Sequence, residues 1–314
     1  MFQHLIKIAK LELNVYVEND RVTTIPTKIT GELNLSRYNA ENQQKWQIGV
    51  ASEDYDHVKT PDIMQEKVLS LIDEYSNHDN HFFIYYPTPL VHGPLLPSEK
   101  DLKKSGIGIY GDFVLQVDRY VGEIVDSLKS KNIFDDTMII FTSDNGASAV
   151  ANFPYLLSIG HNPSNGLRGK KAEIWEGGNT KPNIITYPRI IKSGSESKGL
   201  IRHTDFFWTL SYILSNKLED NTAEDSYSNL EVLKGNKDTV REFIVYSSGN
   251  GGLSIRNNEW KLTFVSNGGS EWQNLNEFKP SELYRMDVDN EHVNLIDSQS
   301  EVVEKLKSVL EKYI

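Results

Sequence analysis

The order of its apolar patterns constrains the fold of this chain most. From Thr60 to Tyr75, Met64, Val68, Leu71, Ile72 and Tyr75 recur at helical spacing, with Thr60 suited to cap and Pro61 to the first turn. After the turn-like NHDN, the continuous apolar run 82–86 reads as a buried strand that opens into a Pro-rich loop, PTPLVHGPLLP. A second helical stripe covers 110–129, with Tyr110, Phe113, Val114, Val117, Val121, Ile124, Val125 and Leu128 inward. It leads to a strand over 138–141 that runs straight into Thr-Ser-Asp-Asn-Gly. Another strand near 183–187 and a helix from Asp205, with Phe206, Leu210, Ile213 and Leu214 in register, extend the series. The opening alternation of Leu11, Leu13, Val15 and Val17 reads as one more strand. Strands alternating with helices predict an α/β fold: a mixed central sheet with helices on both faces.

The pattern changes near residue 215. The polar stretch SNKLEDNTAEDSYSNLEVLKGNKD reads as a boundary between 1–215, the α/β domain, and 216–314, a small α+β subdomain. In the latter, strand-like segments at 242–246 and 253–264 precede a closing helix, where Ser298 and Glu301 make a capping-box pattern ahead of Val302, Leu306, Val309 and Leu310. A small antiparallel sheet with one helix is expected.

Charge and composition exclude several classes. Lys and Arg number 33 against 44 Asp and Glu, a net charge of -11, which argues against a general nucleic-acid binder or a polybasic membrane-surface protein. There is no cysteine, which removes disulfides, thiolate metal sites and Cys nucleophiles. No apolar stretch approaches the roughly 18 residues of a membrane span. The start, MFQHLIKIAKLELNVYV, has no long apolar core followed by a small-residue cleavage site.

Three segments carry candidate chemistry. Asp144 and Asn145 follow a strand, where ligands collect in α/β sheets, and offer a carboxylate and an amide oxygen suited to Ca²⁺ or Mg²⁺. Asp-Asn-Gly after a strand is equally an ordinary turn. His92 sits in the Pro-rich loop, which can hold an imidazole still for a hydrogen bond or a proton, or keep it as a structural histidine. The segment 161–178 gathers His161, Arg168, Lys170 and Lys171 among glycines in an otherwise acidic chain, as an anion cradle or a solvated basic loop.

In this order, these elements resemble the sulfatase family of the alkaline-phosphatase superfamily. HFFIYYPTPLVHGPLLPSEK is similar to its strand and histidine loop, and YGDFVLQVDRYVGEIVDSLKSKNIFDDTMIIFTSDNGA to its long helix and metal-binding strand end. GHNPSNGLRGKKAEIWEGG resembles its lysine segment, and IRNNEWKL with ELYRMDVDNEHVNL its small C-terminal domain. The resemblance implies an alkaline-phosphatase-like fold and arylsulfatase-like hydrolysis of sulfate esters by metal-assisted sulfuryl transfer. It implies Asp144 and Asn145 as ligands of a divalent cation, usually Ca²⁺, and His92 and Lys171 as catalytic groups at the sulfate and the leaving oxygen. It places His161 and Arg168 on the substrate side, with Arg168 equally suited to a structural role. Sulfated small molecules or sulfated glycans are the implied partners, and a periplasmic or secreted location is implied for full-length members.

The sequence departs from the family in one major respect. Sulfatases of this kind use a formylglycine made in a Cys/Ser-x-Pro/Ala-x-Arg motif, yet this chain has no Cys and no Ser followed two places on by Pro or Ala. The resemblance starts partway into the family's sequence, near VYVENDRV, so the nucleophile and two acidic metal ligands have no counterpart. The expectation is the C-terminal two-thirds of a sulfatase that does not turn over sulfate esters alone and self-associates through an exposed sheet edge. A smaller departure is Thr180, where the family usually carries Arg. Two other readings stay open: a phosphodiester or phosphonate ester hydrolase of the same superfamily, and a non-catalytic descendant that binds sulfated glycan.

Overall fold

The computed structural model describes residues 12–30, 49–216, 218–219, 221–265, 279–289 and 291–313. Leu11 of the opening alternation lies outside the described residues. The elements form a mixed α/β fold in two compact units, one of residues 1–134 with 150–161, the other of 135–149 with 162–314.

In the first unit, β1 (Glu12–Asn14) runs parallel to β5 (Gly49–Ala51), whose other side pairs antiparallel with β4 (Lys28–Thr30). A small ribbon joins β2 (Val17–Glu18) to β3 (Arg21–Val22). Helix α1 (Thr60–Tyr75) has its proline in the first turn, where a missing N–H costs nothing. Helix α2 (Ile109–Ser130) packs against α1, and α3 (Phe153–Ser158) closes the unit near its end.

Two expectations in this unit are corrected. The buried edge of α2 runs through Ile109, Phe113, Gln116 and Tyr120, whereas Val114 of the expected stripe is 42% exposed. The helix turns a polar edge inward because Gln116 is satisfied there: it accepts from the Ser98 N–H at 2.8 Å and donates to the Tyr120 hydroxyl at 2.8 Å. The run 82–86 is not a ladder strand. Phe83 and Tyr85 are 79% and 78% exposed while Phe82, Ile84 and Tyr86 are half-buried. The alternation is that of an extended chain, but a strand also needs a hydrogen-bonded neighbour, and among the described residues none pairs with it.

In the second unit, β6 (Ile139–Thr142) pairs antiparallel with β7 (Asn183–Thr186). Helix α5 (Asp205–Ile213) follows the one-turn α4 (Glu176–Asn179) and precedes the one-turn α6 (Leu230–Leu233). Its buried residues are Asp205, Thr209 and Ser211, and Leu214 is exposed, because the buried Asp205 carboxylate is the anchor: it accepts from the Arg202 N–H at 2.8 Å, the Tyr227 N–H at 3.0 Å and the Arg241 guanidinium. The segment 253–264 is two strands, β9 (Leu253–Arg256) and β10 (Trp260–Phe264), turned about Asn257. With β8 (Ile244–Ser247) and β11 (Glu282–Arg285) they form an antiparallel sheet in the order β11-β10-β9-β8.

Alternation splits the residues of that sheet between two faces. Ile255, Leu262, Phe264 and Leu283 pack with Val303, Leu306 and Leu310 of α7 (Ser300–Leu310) in one apolar core. The other face carries Ser254, Lys261, Thr263 and Tyr284, which are buried, and Tyr246 and Arg256, which are half-buried. The capping box expected at Ser298 is not formed: α7 starts at Ser300 with Gln299 at its N-cap, and the Ser298 hydroxyl donates back to the Leu295 carbonyl at 3.0 Å.

Candidate active site

His92 is carried by the first unit. Its loop is pinned by Leu90, Leu95 and Leu96, which pack with Ile109, Phe113 and Tyr120 of α2. The His92 Nδ1 lies 2.8 Å from the Gly93 carbonyl, an atom that can only accept, so Nδ1 is the donor there and Nε2 of the exposed ring is left to face a ligand. The residue before it, Val91, has φ +59°, a left-handed conformation rarely adopted by a β-branched side chain. His161 is also in this unit, exposed at the end of α3, with its N–H donating to the Leu156 carbonyl at 2.9 Å.

Asp144, Asn145, Arg168 and Lys171 belong to the second unit, where two loops are stitched together. The Gly146 N–H donates to the Gly178 carbonyl at 3.0 Å, and the Lys171 N–H donates to the Ala147 carbonyl at 2.8 Å. The approach is close enough that a Cβ on Gly146 would stand 1.9 Å from the Gly177 carbonyl oxygen, so only glycine fits. Asp144 Oδ1 accepts from the Asn145 N–H at 2.9 Å, and the Asn145 amide nitrogen donates to the Gly146 carbonyl at 3.0 Å, which leaves the amide oxygen as its acceptor.

The two lysines of the segment differ. Lys170 is paired with Glu173 at 2.7 Å. Lys171 is half-buried, and among the described residues its ammonium group makes no ion pair. Arg168 is engaged: it stacks over Trp175 at 3.8 Å, donates to the Tyr284 hydroxyl at 2.7 Å and to the Glu291 carbonyl at 3.2 Å. In this arrangement Arg168 helps to hold the loop.

Several groups escaped the sequence reading. Lys181 and His203 both feel the charge of Asp144. Burial pulls the half-buried Lys181 amine below the ordinary lysine range, and Asp144 opposes this. Burial and the Lys181 charge lower His203 in turn, and its Nε2 lies 3.1 Å from the Thr142 hydroxyl. The larger omission is Glu176, near the end of the lysine segment. Its carboxylate accepts from the Tyr246 hydroxyl at 2.6 Å, the Thr180 hydroxyl at 2.9 Å, the Lys261 ammonium at 3.1 Å and the Arg256 guanidinium. Burial pushes this carboxyl up, but Lys261 and Arg256, with the two hydroxyls, outweigh it and hold the pKa at about 2. Lys261 also donates to the Ile174 carbonyl at 2.8 Å and pairs with Glu291, whose other carboxylate oxygen accepts from the Glu176 N–H at 2.8 Å. Burial pushes Glu291 upward against the pull of Lys261. The sequence signal for this cluster was Lys261 itself, a cation alternating with Trp260 and Leu262 in a strand.

Asp144 and Asn145 supply oxygen donors of the right chemistry for Ca²⁺, two of the roughly six to eight such an ion takes. Among the described residues no group of three or more His, Asp or Glu side chains gathers as a metal site. Among them also, no helix is long and apolar enough to cross a membrane.

The sulfatase family pattern matches residues 13–215, and the chain belongs to the sulfatase family. It is 32% identical over 274 residues to N-acetylgalactosamine-6-O-sulfatase of Bacteroides thetaiotaomicron, covering 85% of this chain and 53% of that protein. It is 33% identical over 162 residues to human steryl-sulfatase, covering 51% of this chain and 27% of that one. A solved structure from work on the metabolism of multiple glycosaminoglycans by Bacteroides thetaiotaomicron superposes with a TM-score of 0.81 at 28% identity, over 96% of this chain and 69% of that one. The chain thus spans about half the length, or less, of these curated relatives.

Proposed function

We propose that this chain carries the sulfate-binding part of a sulfate-ester hydrolase. The observation that carries the reading is Lys171: a half-buried ammonium without an ion pair among the described residues, on a loop bonded directly to the Asp144–Asn145 turn. In sulfuryl transfer, as in phosphoryl transfer, charge spreads over the peripheral oxygens and the leaving oxygen. Lys171 meets that charge, and His92, when Nε2 also carries a proton, donates from it to the ester oxygen. Asp144 and Asn145 lend two oxygens to a divalent cation, Ca²⁺, which when bound polarises the sulfate oxygens. His161 lies on the substrate rim, and Arg168 keeps the lysine loop in shape. A mixed central sheet with helices on both faces, and a division at 215/216, belong to the same reading.

A sulfated sugar is favoured over a simple aryl sulfate by the relative matched over most of this chain, while steryl-sulfatase matches about half of it. The relative matched over 85% of this chain is an N-acetylgalactosamine-6-O-sulfatase, so N-acetylgalactosamine 6-sulfate is the first ligand to test. The chain has no cysteine and no serine in a formylglycine setting, so these 314 residues bind the ester without turning it over by themselves. Titration calorimetry with that sugar in Ca²⁺ should show binding to the wild-type chain and at least about a tenfold loss in Lys171→Ala, the size of one charge-assisted contact. Equal affinity for both, or multiple turnover by the purified chain, would refute the assignment. Tighter binding of an aryl phosphate would move it to a phosphate or phosphonate ester hydrolase. The exposed Phe83 and Tyr85 also support self-association, which light scattering would read as oligomers that Phe83→Lys with Tyr85→Lys dissolves.

A further inference from the structure

We infer that the buried polar face of the C-terminal sheet positions the candidate site, and that Glu176 is the residue through which it does so. The inference rests on the reading of Asp144, Asn145 and Lys171 as site residues, and it adds a function for a subdomain that contributes none of them.

A sheet face of Tyr, Ser, Arg, Lys and Thr ordinarily looks into water. Here Ser254, Lys261 and Thr263 are fully buried, and several of the face's polar groups meet one segment, 168–176. Tyr284 accepts from Arg168, Glu282 accepts from the Trp175 indole at 3.1 Å, and Tyr246, Arg256 and Lys261 converge on Glu176. The turn after β8 reaches the other end of the lysine loop, where the Gly249 N–H donates to the Ala172 carbonyl at 2.8 Å. The sheet therefore grips the loop at Ala172, directly after Lys171, and again at Glu176.

From Glu176 the constraint passes through backbone. Its own N–H is fixed by Glu291, the Gly177 N–H donates to the Arg168 carbonyl at 2.7 Å, and the Gly178 carbonyl receives Gly146, the residue after Asn145. Few soft torsions separate the Glu176 side chain from the Asp144–Asn145 turn, and the Lys171 N–H closes the circuit onto Ala147. Such precision matters because a misplacement of about 1 Å can cost on the order of a hundredfold in rate. Thr180, where the family usually has Arg, is part of the same grip, since its hydroxyl donates to Glu176 while Arg256 from β9 supplies a guanidinium.

The test uses the full chain and three variants: Glu176→Ala, Glu176→Gln, which keeps one acceptor oxygen and turns the other into an amide donor that a hydroxyl can accept, and Tyr246→Phe, which removes a single hydroxyl. Hydrogen exchange is read at the Gly146 and Lys171 amides and in the β9–β10 ladder, and Ca²⁺ affinity is read by calorimetry. Glu176→Ala should speed exchange at the two loop amides about tenfold more than in the ladder and weaken Ca²⁺ about tenfold, with Glu176→Gln partly rescued. If Glu176→Ala does not fold, Tyr246→Phe decides, with a rise of about threefold at the same amides. Wild-type exchange at Gly146 and Lys171 in these variants, with loosening confined to the ladder, would overturn the inference. A wild-type chain that binds no Ca²⁺ would sink the cation reading alone, because the exchange result judges the positioning independently.

Discussion

His92 and Lys171 each ride on a loop secured by a cluster of charges, and the two clusters are built in opposite ways. In the first unit, Arg119 of α2 stands among Asp62, Asp101 and Glu123, with its own side chain 24% exposed. Its guanidinium takes Asp101, three residues beyond Ser98 on the continuation of the His92 loop, with bonds of 3.1 Å and 2.7 Å. In the second unit, Lys261 and Glu291 are entirely buried and Glu176 nearly so, and two cations balance two carboxylates. An open cluster can lose a member to water. A sealed one cannot, because each charge is tolerable only while its partner is present.

The largest expected effect follows from that contrast. Lys261→Met removes the cation shared by Glu176 and Glu291 and leaves buried carboxylates short of a partner, which should cost about 3–5 kcal/mol of unfolding free energy. Arg119→Ala also breaks bidentate bonds to Asp101, but solvent reaches the site, and the loss should be about 1–2 kcal/mol. Urea unfolding of both variants beside the parent chain, followed by tryptophan fluorescence, makes the comparison. Equal losses would mean that burial does not separate the two anchors.

Acid should separate the units in a second way. Burial depresses His57, whose Nδ1 lies 3.0 Å from the Tyr55 hydroxyl, from 6.5 to about 3. A folded state that resists protonating this ring has its full contribution above pH 6.5 and loses it as pH falls toward 3. Glu176, held at about 2 against an ordinary 4.5, contributes above pH 4.5 and loses that contribution as pH falls toward 2. Peptide-level exchange around residues 55–58 should therefore rise first on acidification, below pH 6.5, and around 174–180 only below 4.5. Simultaneous loosening, or the reverse order, would contradict this ranking of the two buried groups.

Much of this was readable from residue order. The helices at 60–75 and 109–130 carry long periodic patterns, and the strand into Thr-Ser-Asp-Asn-Gly is marked by a run of apolar residues meeting turn formers. The closing sheet and its helix also follow their alternation, as Ile255, Leu262 and Leu306 show. What failed were cases where a side chain's partner lies far along the chain. Lys261 looks like an outward residue of a half-exposed strand until Ile174 and Glu176, more than eighty positions away, are seen to cover it. Gln116 spoiled the α2 stripe in part for the same reason: its oxygen is met by the Ser98 N–H from a preceding loop, while its amide nitrogen is met one turn on by Tyr120. The run 82–86 shows the converse: its composition suits a strand, but composition does not supply a neighbour.

The smallest expected effect concerns backbone strain beside each candidate group. Val91 precedes His92 at φ +59°, and Ala172 follows Lys171 at φ +75°. Each L-residue held in this region costs about 1–2 kcal/mol. Glycine relieves the strain but loosens the unfolded chain, which returns about 0.4–1 kcal/mol. Ala172 is exposed and fixed by backbone bonds, its carbonyl accepting from Gly249, so Ala172→Gly should stabilise the chain by about 0.5 kcal/mol. Val91 packs against the Leu90–Leu95–Leu96 cluster, and losing its side chain there outweighs the relief, so Val91→Gly should destabilise by about 1 kcal/mol. Opposite signs in paired thermal melts would show that apolar packing enforces the first loop's strain and hydrogen bonds the second's. Like signs would mean that both loops are strained for one shared reason.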